Sequence, residues 1–131
     1  MKNLLIGTVT VFIAWMAMDF LFHGNLLKGM YEESASLWRP PAEMKMGINA
    51  LVVLIAAAMF TAIYVLLIAN KGVGTGLLYG LFYGVAVGVG AGFGTFSFMP
   101  LPYELALSWF GIIVVESLVA GGLLGLVASR R

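Results

Sequence analysis

Residues 46–69 and 73–98 each run for more than twenty positions without a charged side chain. A helix crosses the hydrocarbon core of a bilayer with about 20 apolar residues, so both stretches read as transmembrane helices. Two further runs have the same length and character. Residues 3–22 are interrupted only by Asp19, and residues 105–128 only by Glu116. The runs are continuous rather than alternating, which favours helices over a membrane barrel. The fold class expected is therefore all-α: one domain over residues 1–131, built as a four-transmembrane-helix bundle.

Composition agrees. Of the 131 residues, 62% are hydrophobic and 10% charged, with a mean hydropathy of +1.04. A water-soluble domain carries about 25% charged residues. The formal charge of +1 and the lack of a basic patch exclude a nucleic-acid partner. With no cysteine, disulfides, thiolate metal sites and a Cys nucleophile are excluded. The first run resembles a secretory signal, but bulky Trp15, Met16 and Met18 stand where a small-residue cleavage site would be, so it reads as a spanning helix.

Two joints are short, at residues 70–72 and 99–102, and impose antiparallel neighbours. The joint after the first span is long. On a helical wheel of residues 25–39, Leu26, Leu27, Met30, Tyr31, Ser34, Leu37 and Trp38 fall on one arc. Lys28, Gly29, Glu32, Glu33, Ser36 and Arg39 fall on the other. The pattern predicts an amphipathic helix in the membrane interface, with Asn25 as N-cap and Pro40 as its stop. Pro41 then opens the next helix, with Glu43 in its first turn. Lys2, Lys71, Arg130 and Arg131 fall on one side of the membrane and Lys28, Arg39 and Lys45 on the other. That bias puts both termini in the cytoplasm, and a bacterial inner membrane is the compartment expected.

Nine of the 17 glycines lie between Gly72 and Gly94. Gly72, Gly76, Gly80, Gly84, Gly88 and Gly92 recur every fourth residue, turning one ridge of the third helix into a groove that another helix can enter. Gly121, Gly125 and Ser129 form a shorter stripe on the fourth span. Gly90 and Gly94 add a second smooth face and suggest a second partner for the third helix. The groove serves either internal packing or a contact between subunits.

Few side chains could do chemistry. Asp19 and His23, four apart near the outer interface, share a helix face and can hydrogen-bond. One histidine is too few for a zinc or copper site, and no axial cofactor ligand pair is visible, so no metal or cofactor is expected. Glu116 lies 12 residues beyond Glu104, roughly 18 Å into the membrane. An acid at that depth faces the bundle interior, is protonated or has a partner. Asp19 lies nearer the surface, so pairing with Glu116 is not expected. Tyr64, Tyr79, Tyr83, Thr61 and Ser117 are candidate partners. No nucleophile–base pair or phosphate loop can be assembled, so no catalytic residue and no enzyme is expected.

The stretches "DFLFHGNLLKGMY" and "SLWRP" resemble those of small uncharacterised four-helix integral membrane proteins of bacteria. The resemblance implies a fold, not an activity. Two functions remain open. One is a non-enzymatic component of the lipid bilayer that associates through its glycine surfaces, as a homo-oligomer or with other membrane subunits. The alternative is a proton-coupled small-molecule carrier using Glu116.

Overall fold

The computed structural model describes residues 1–129. Among these the chain is helical with no strand. Four helices are long and apolar enough to cross a membrane: α1 (Lys2–Leu26), α3 (Met46–Leu67), α4 (Val73–Phe98) and α5 (Tyr103–Val127). A short helix, α2 (Lys28–Glu33), lies between the first two. The outward faces are as apolar as the core. Leu5, Phe20, Leu67, Phe82 and Phe98 are all more than 60% exposed, a surface matched to lipid rather than water.

Helix α5 is central. It packs along α4 for most of their length and against α1, while α1 also packs on α3. The core joins three of the spans through Val11 and Trp15 of α1, Ala57, Phe60 and Tyr64 of α3, and Ala120 and Leu124 of α5. Helix α4 reaches α3 through aromatics: Tyr79 stacks on Phe60, with ring centroids 4.5 Å apart, and donates its hydroxyl to the Phe60 carbonyl at 2.8 Å.

The α4–α5 seam is backbone on backbone. Gly76, Gly80, Gly84, Gly88 and Gly92 are buried against it. A Cβ at Gly76 or Gly80 would overlap the carbonyl of Gly121 or Ser117, and one at Gly84 would lie 2.9 Å from the Val114 Cα. Gly121 and Gly125 answer from α5, facing Gly76 and Gly72. The groove is thus filled from within the chain. Gly72 has a different reason to be glycine: its φ of 144° is closed to residues with a side chain. Gly90 meets nothing within 4 Å, and Gly94 only the carbonyl of Val89 on its own helix.

Three spans contain a π-turn, at Phe22–Leu26, Ile63–Leu67 and Gly90–Gly94. Each adds a residue to one turn and widens the helix locally. The first carries α1 on to Leu26, beyond the expected end at residue 22. Asn25 consequently does not cap the next helix; its side-chain amide donates back to the Phe20 carbonyl at 3.2 Å.

The segment expected as one helix over 25–39 is three short pieces: the π-turn, α2 and a 3-10 turn at Ala35–Leu37. Breaks fall at Leu27 and Ser34, whose ψ values near zero leave the helical range. Its two arcs remain distinct. Lys28, Gly29, Glu32, Glu33, Ser36 and Arg39 are exposed, while Leu27 and Ser34 are buried and Met30, Tyr31, Leu37 and Trp38 half-buried. The inner arc rests on Leu101, Leu105, Ile112 and Trp109 of the chain itself. Leu26 departs from the arc and is exposed. Pro41–Glu43 forms a 3-10 turn rather than the first turn of a helix, and α3 starts at Met46. Arg130 and Arg131, used above for orientation, lie outside the described residues.

Candidate functional site

The acids of α1 and α5 meet. Trp15 of α1 donates its indole N–H to the backbone carbonyl of Glu116 at 3.0 Å, deep in the bundle. That bond fixes the register of α1 on α5. One turn further along α1 stands Asp19, whose charge Glu116 feels. Asp19 is not at the end of its helix, because α1 continues through the π-turn to Leu26.

Glu116 is 8% exposed, and its Oε1 is sealed from solvent without a hydrogen-bond partner. It borders a cavity of about 140 Å³, lined also by Trp15, Tyr83 and Ser117 and by the apolar Ala56, Val87 and Ile113. None of the other candidate partners is bonded to it. The Tyr64 hydroxyl accepts the Gly72 N–H at 2.9 Å and lies 3.0 Å from the Ser129 hydroxyl. The Tyr79 hydroxyl is engaged by Phe60. Buried Thr61 Oγ1 has no partner and sits beside Gly7. Among the described residues no lysine or arginine forms an ion pair with either acid.

A second polar group starts at Asp19 and runs outward. His23 Nε2 lies 3.9 Å from Asp19 Oδ1. On the far side of the ring, Nδ1 is 2.6 Å from the Tyr31 hydroxyl. The Trp109 indole N–H donates to that same hydroxyl at 2.7 Å. Trp109 can only donate, so Tyr31 accepts from it, and its own O–H is free to point at Nδ1. In that tautomer Nδ1 accepts and Nε2 carries the proton toward Asp19. Burial pushes the Tyr31 phenol above its ordinary range; Trp109's N–H opposes the shift and Asp19 reinforces it. Tyr31 therefore stays protonated and remains a donor. Trp38 adds a further tie by donating to Ser34 Oγ at 2.9 Å, and Ser34 in turn donates to the Met30 carbonyl at 2.7 Å.

Asp19 and His23 were legible as a pair from their spacing. Tyr31 was visible only as an apolar-arc residue, and Trp109, 78 positions further on, carried no local signal. Among the described residues no three His, Cys, Asp or Glu side chains are gathered as a metal site would require. What the arrangement can do is hold and pass protons: two carboxyls, an imidazole and a phenol line up from the buried cavity to the end of α1. No protein family, curated protein or solved structure matches this chain.

Proposed function

We propose that the chain is a multi-pass membrane protein working as a proton-coupled carrier of a small molecule, with Glu116 as the group that binds and releases the proton. The observation that carries this reading is Glu116 itself: a buried carboxyl with an unsatisfied oxygen, next to Asp19 and bordering a cavity. An acid at that depth costs at least a few kcal/mol when ionised and marks an ion or proton path by default. A chain whose only task was packing would be more stable with an apolar residue there. The glycine stripe, the basis of the competing reading, is occupied by α5 of the same chain and supports a bundle rather than a subunit contact.

The bilayer placement proposed has both termini in the cytoplasm of a bacterial cell, with α2 lying in the outer interface. Its charged arc then faces water, and its apolar arc closes the outer end of the bundle. No enzymatic role, metal or cofactor is proposed. A second reading, a small non-enzymatic subunit or homo-oligomer, rests on the open faces of Gly90 and Gly94.

The experiment is flux in reconstituted vesicles. A pH gradient should drive, or be dissipated by, solute movement in wild type, and Glu116→Gln should fold normally yet abolish it. Proton-linked flux that survives Glu116→Gln refutes the role given to Glu116, and no proton-linked flux in wild type refutes the carrier reading. A single discrete oligomer by native mass spectrometry, lost on Gly90→Leu, would favour the subunit reading.

A further inference from the structure

The cavity beside Phe22, Leu27 and Ile112 is an open, largely apolar groove of about 310 Å³ whose one hydroxyl, Ser108, is spent on the Glu104 carbonyl. On the exposed face of α3 the one polar side chain is Asn49, in the first turn. The polar chain from α2 to the buried acid is the feature without an explanation in packing. We propose that His23 is a proton relay, held by Tyr31 and Trp109, that connects the α2 side of the membrane to Glu116 through Asp19. The inference rests on Glu116 being the proton-binding group, and adds the route and the side of access.

Geometry supplies the argument. Tyr31 O–H to Nδ1 of His23 is a short hydrogen bond at 2.6 Å. From Nε2 to Asp19 is 3.9 Å, beyond a direct hydrogen bond, so a turn of the ring or one bridging water completes the step. Asp19 stands one turn beyond Trp15, whose indole N–H reaches the Glu116 backbone at 3.0 Å, and the two carboxyls feel each other's charge. The His23 and Asp19 side chains are 36% and 29% exposed, so the outer half of this path is open to its surroundings, while Glu116 is closed. The two ring nitrogens thus face opposite ends of the path, as a histidine relay requires.

Each step breaks and makes one bond to hydrogen. Tyr31 passes its hydroxyl proton to Nδ1 while taking another from a hydronium ion of the interfacial water, so neither phenolate nor hydroxide forms. The imidazolium releases its Nε2 proton to the Asp19 carboxylate. Asp19 passes a proton to the Glu116 carboxylate. His23 is left carrying its proton on Nδ1, and loss of that proton to water with uptake of one at Nε2 restores the starting tautomer. The titratable groups facing this path are Asp19 on α1, Tyr31 on α2, Glu116 on α5 and Tyr83 on α4, which shares the cavity with Glu116. Trp109 moves no proton; it is a positioning residue that holds the Tyr31 hydroxyl.

The test reads proton access to Glu116 without requiring transport. In vesicles of purified full-length protein, the infrared carbonyl band of protonated Glu116 is assigned by its absence in Glu116→Gln. Its shift on mixing with heavy water then times exchange. Wild type should exchange quickly. His23→Gln should slow exchange about 100-fold, the low end of what a positioned acid–base side chain contributes. Trp109→Phe should slow it less. In His23→Ala, added imidazole should restore the rate, which a merely structural role for His23 would not permit. Exchange in His23→Gln at the wild-type rate, no rescue by imidazole, or no exchanging carboxyl band at Glu116 would each overturn the relay. The two proposals fail differently. His23-dependent exchange with no proton-linked flux sinks the carrier and keeps the relay. Glu116-dependent flux that is unchanged in His23→Gln does the reverse.

Discussion

Replacing Gly80 by alanine adds one methyl group where α4 lies on the backbone of α5. The new Cβ would overlap the Ser117 carbonyl oxygen, with the carbonyl carbon at 2.8 Å and the Leu118 Cα at 3.1 Å. These are main-chain atoms of a continuous helix and cannot swing aside, so the helices must part by on the order of 1 Å, given carbon contacts that are optimal at about 3.5–4.0 Å. In lipid no hydrophobic force drives the helices back together, and close van der Waals packing is what holds them. Each atom pair contributes only about 0.1–0.2 kcal/mol, but the seam runs from Gly76 to Gly92 and loosens together. Overpacking of this kind costs about 1–3 kcal/mol, and the rigid obstacle argues for the upper end. Gly111→Ala is the control. It sits inside α5, and its Cβ would meet nothing within 4 Å, so alanine there should be neutral or stabilise by at most about 1 kcal/mol. Thermal or detergent-titrated unfolding followed by circular dichroism compares the two. Wild-type stability in Gly80→Ala, or equal losses in both variants, would refute the seam.

Tyr64→Phe should lower stability by about 1 kcal/mol, because it removes the hydroxyl that ties the α3–α4 joint to Gly72 and Ser129; equilibrium unfolding checks it, and no change would mean the joint holds without that tie. Trp15→Phe should cost about 1 kcal/mol, since it removes the buried indole bond to the Glu116 carbonyl; it should also speed heavy-water exchange of the amides in that turn of α5. Trp109→Phe should loosen α2 without unfolding the spans, because Tyr31 loses its tie to α5. A spin label at Lys28 should then become more mobile, whereas unchanged mobility would show that apolar contact alone holds the segment. In wild type, labels at Lys28, Glu32 and Ser36 should be open to a water-soluble relaxant and one at Leu27 protected; equal access would erase the two-arc description.

The spanning helices were legible because lipid imposes length and continuity on them, and Val73–Phe98 agrees with its sequence bounds at both ends. The segment after α1 was not, because a helical wheel assumes 100° per residue. A π-turn breaks that count at Phe22–Leu26, and the irregular Leu27 and Ser34 break it again. The arcs survived because burial needs only a side, not a regular helix. The site was half legible. Spacing within one helix joined Asp19 to His23, but only tertiary packing could bring Glu116 to Asp19 or Trp109 to Tyr31. The sequence bounds ended α1 at residue 22, a π-turn short of Leu26.

The bond from Trp15 to Glu116 spans 101 positions of chain, which bears on how the protein is made. During synthesis α1 is made long before α5 leaves the ribosome. Until then Val11 and Trp15 lack much of the surface they pack on. The α4–α5 hairpin, joined by four residues and fitted backbone to backbone, can close as soon as it is inserted. Docking of α1 therefore waits for α5. A chain stopped before Tyr103 leaves Val11 and Trp15 without the face of α5 they pack against and Trp15 without the carbonyl it bonds.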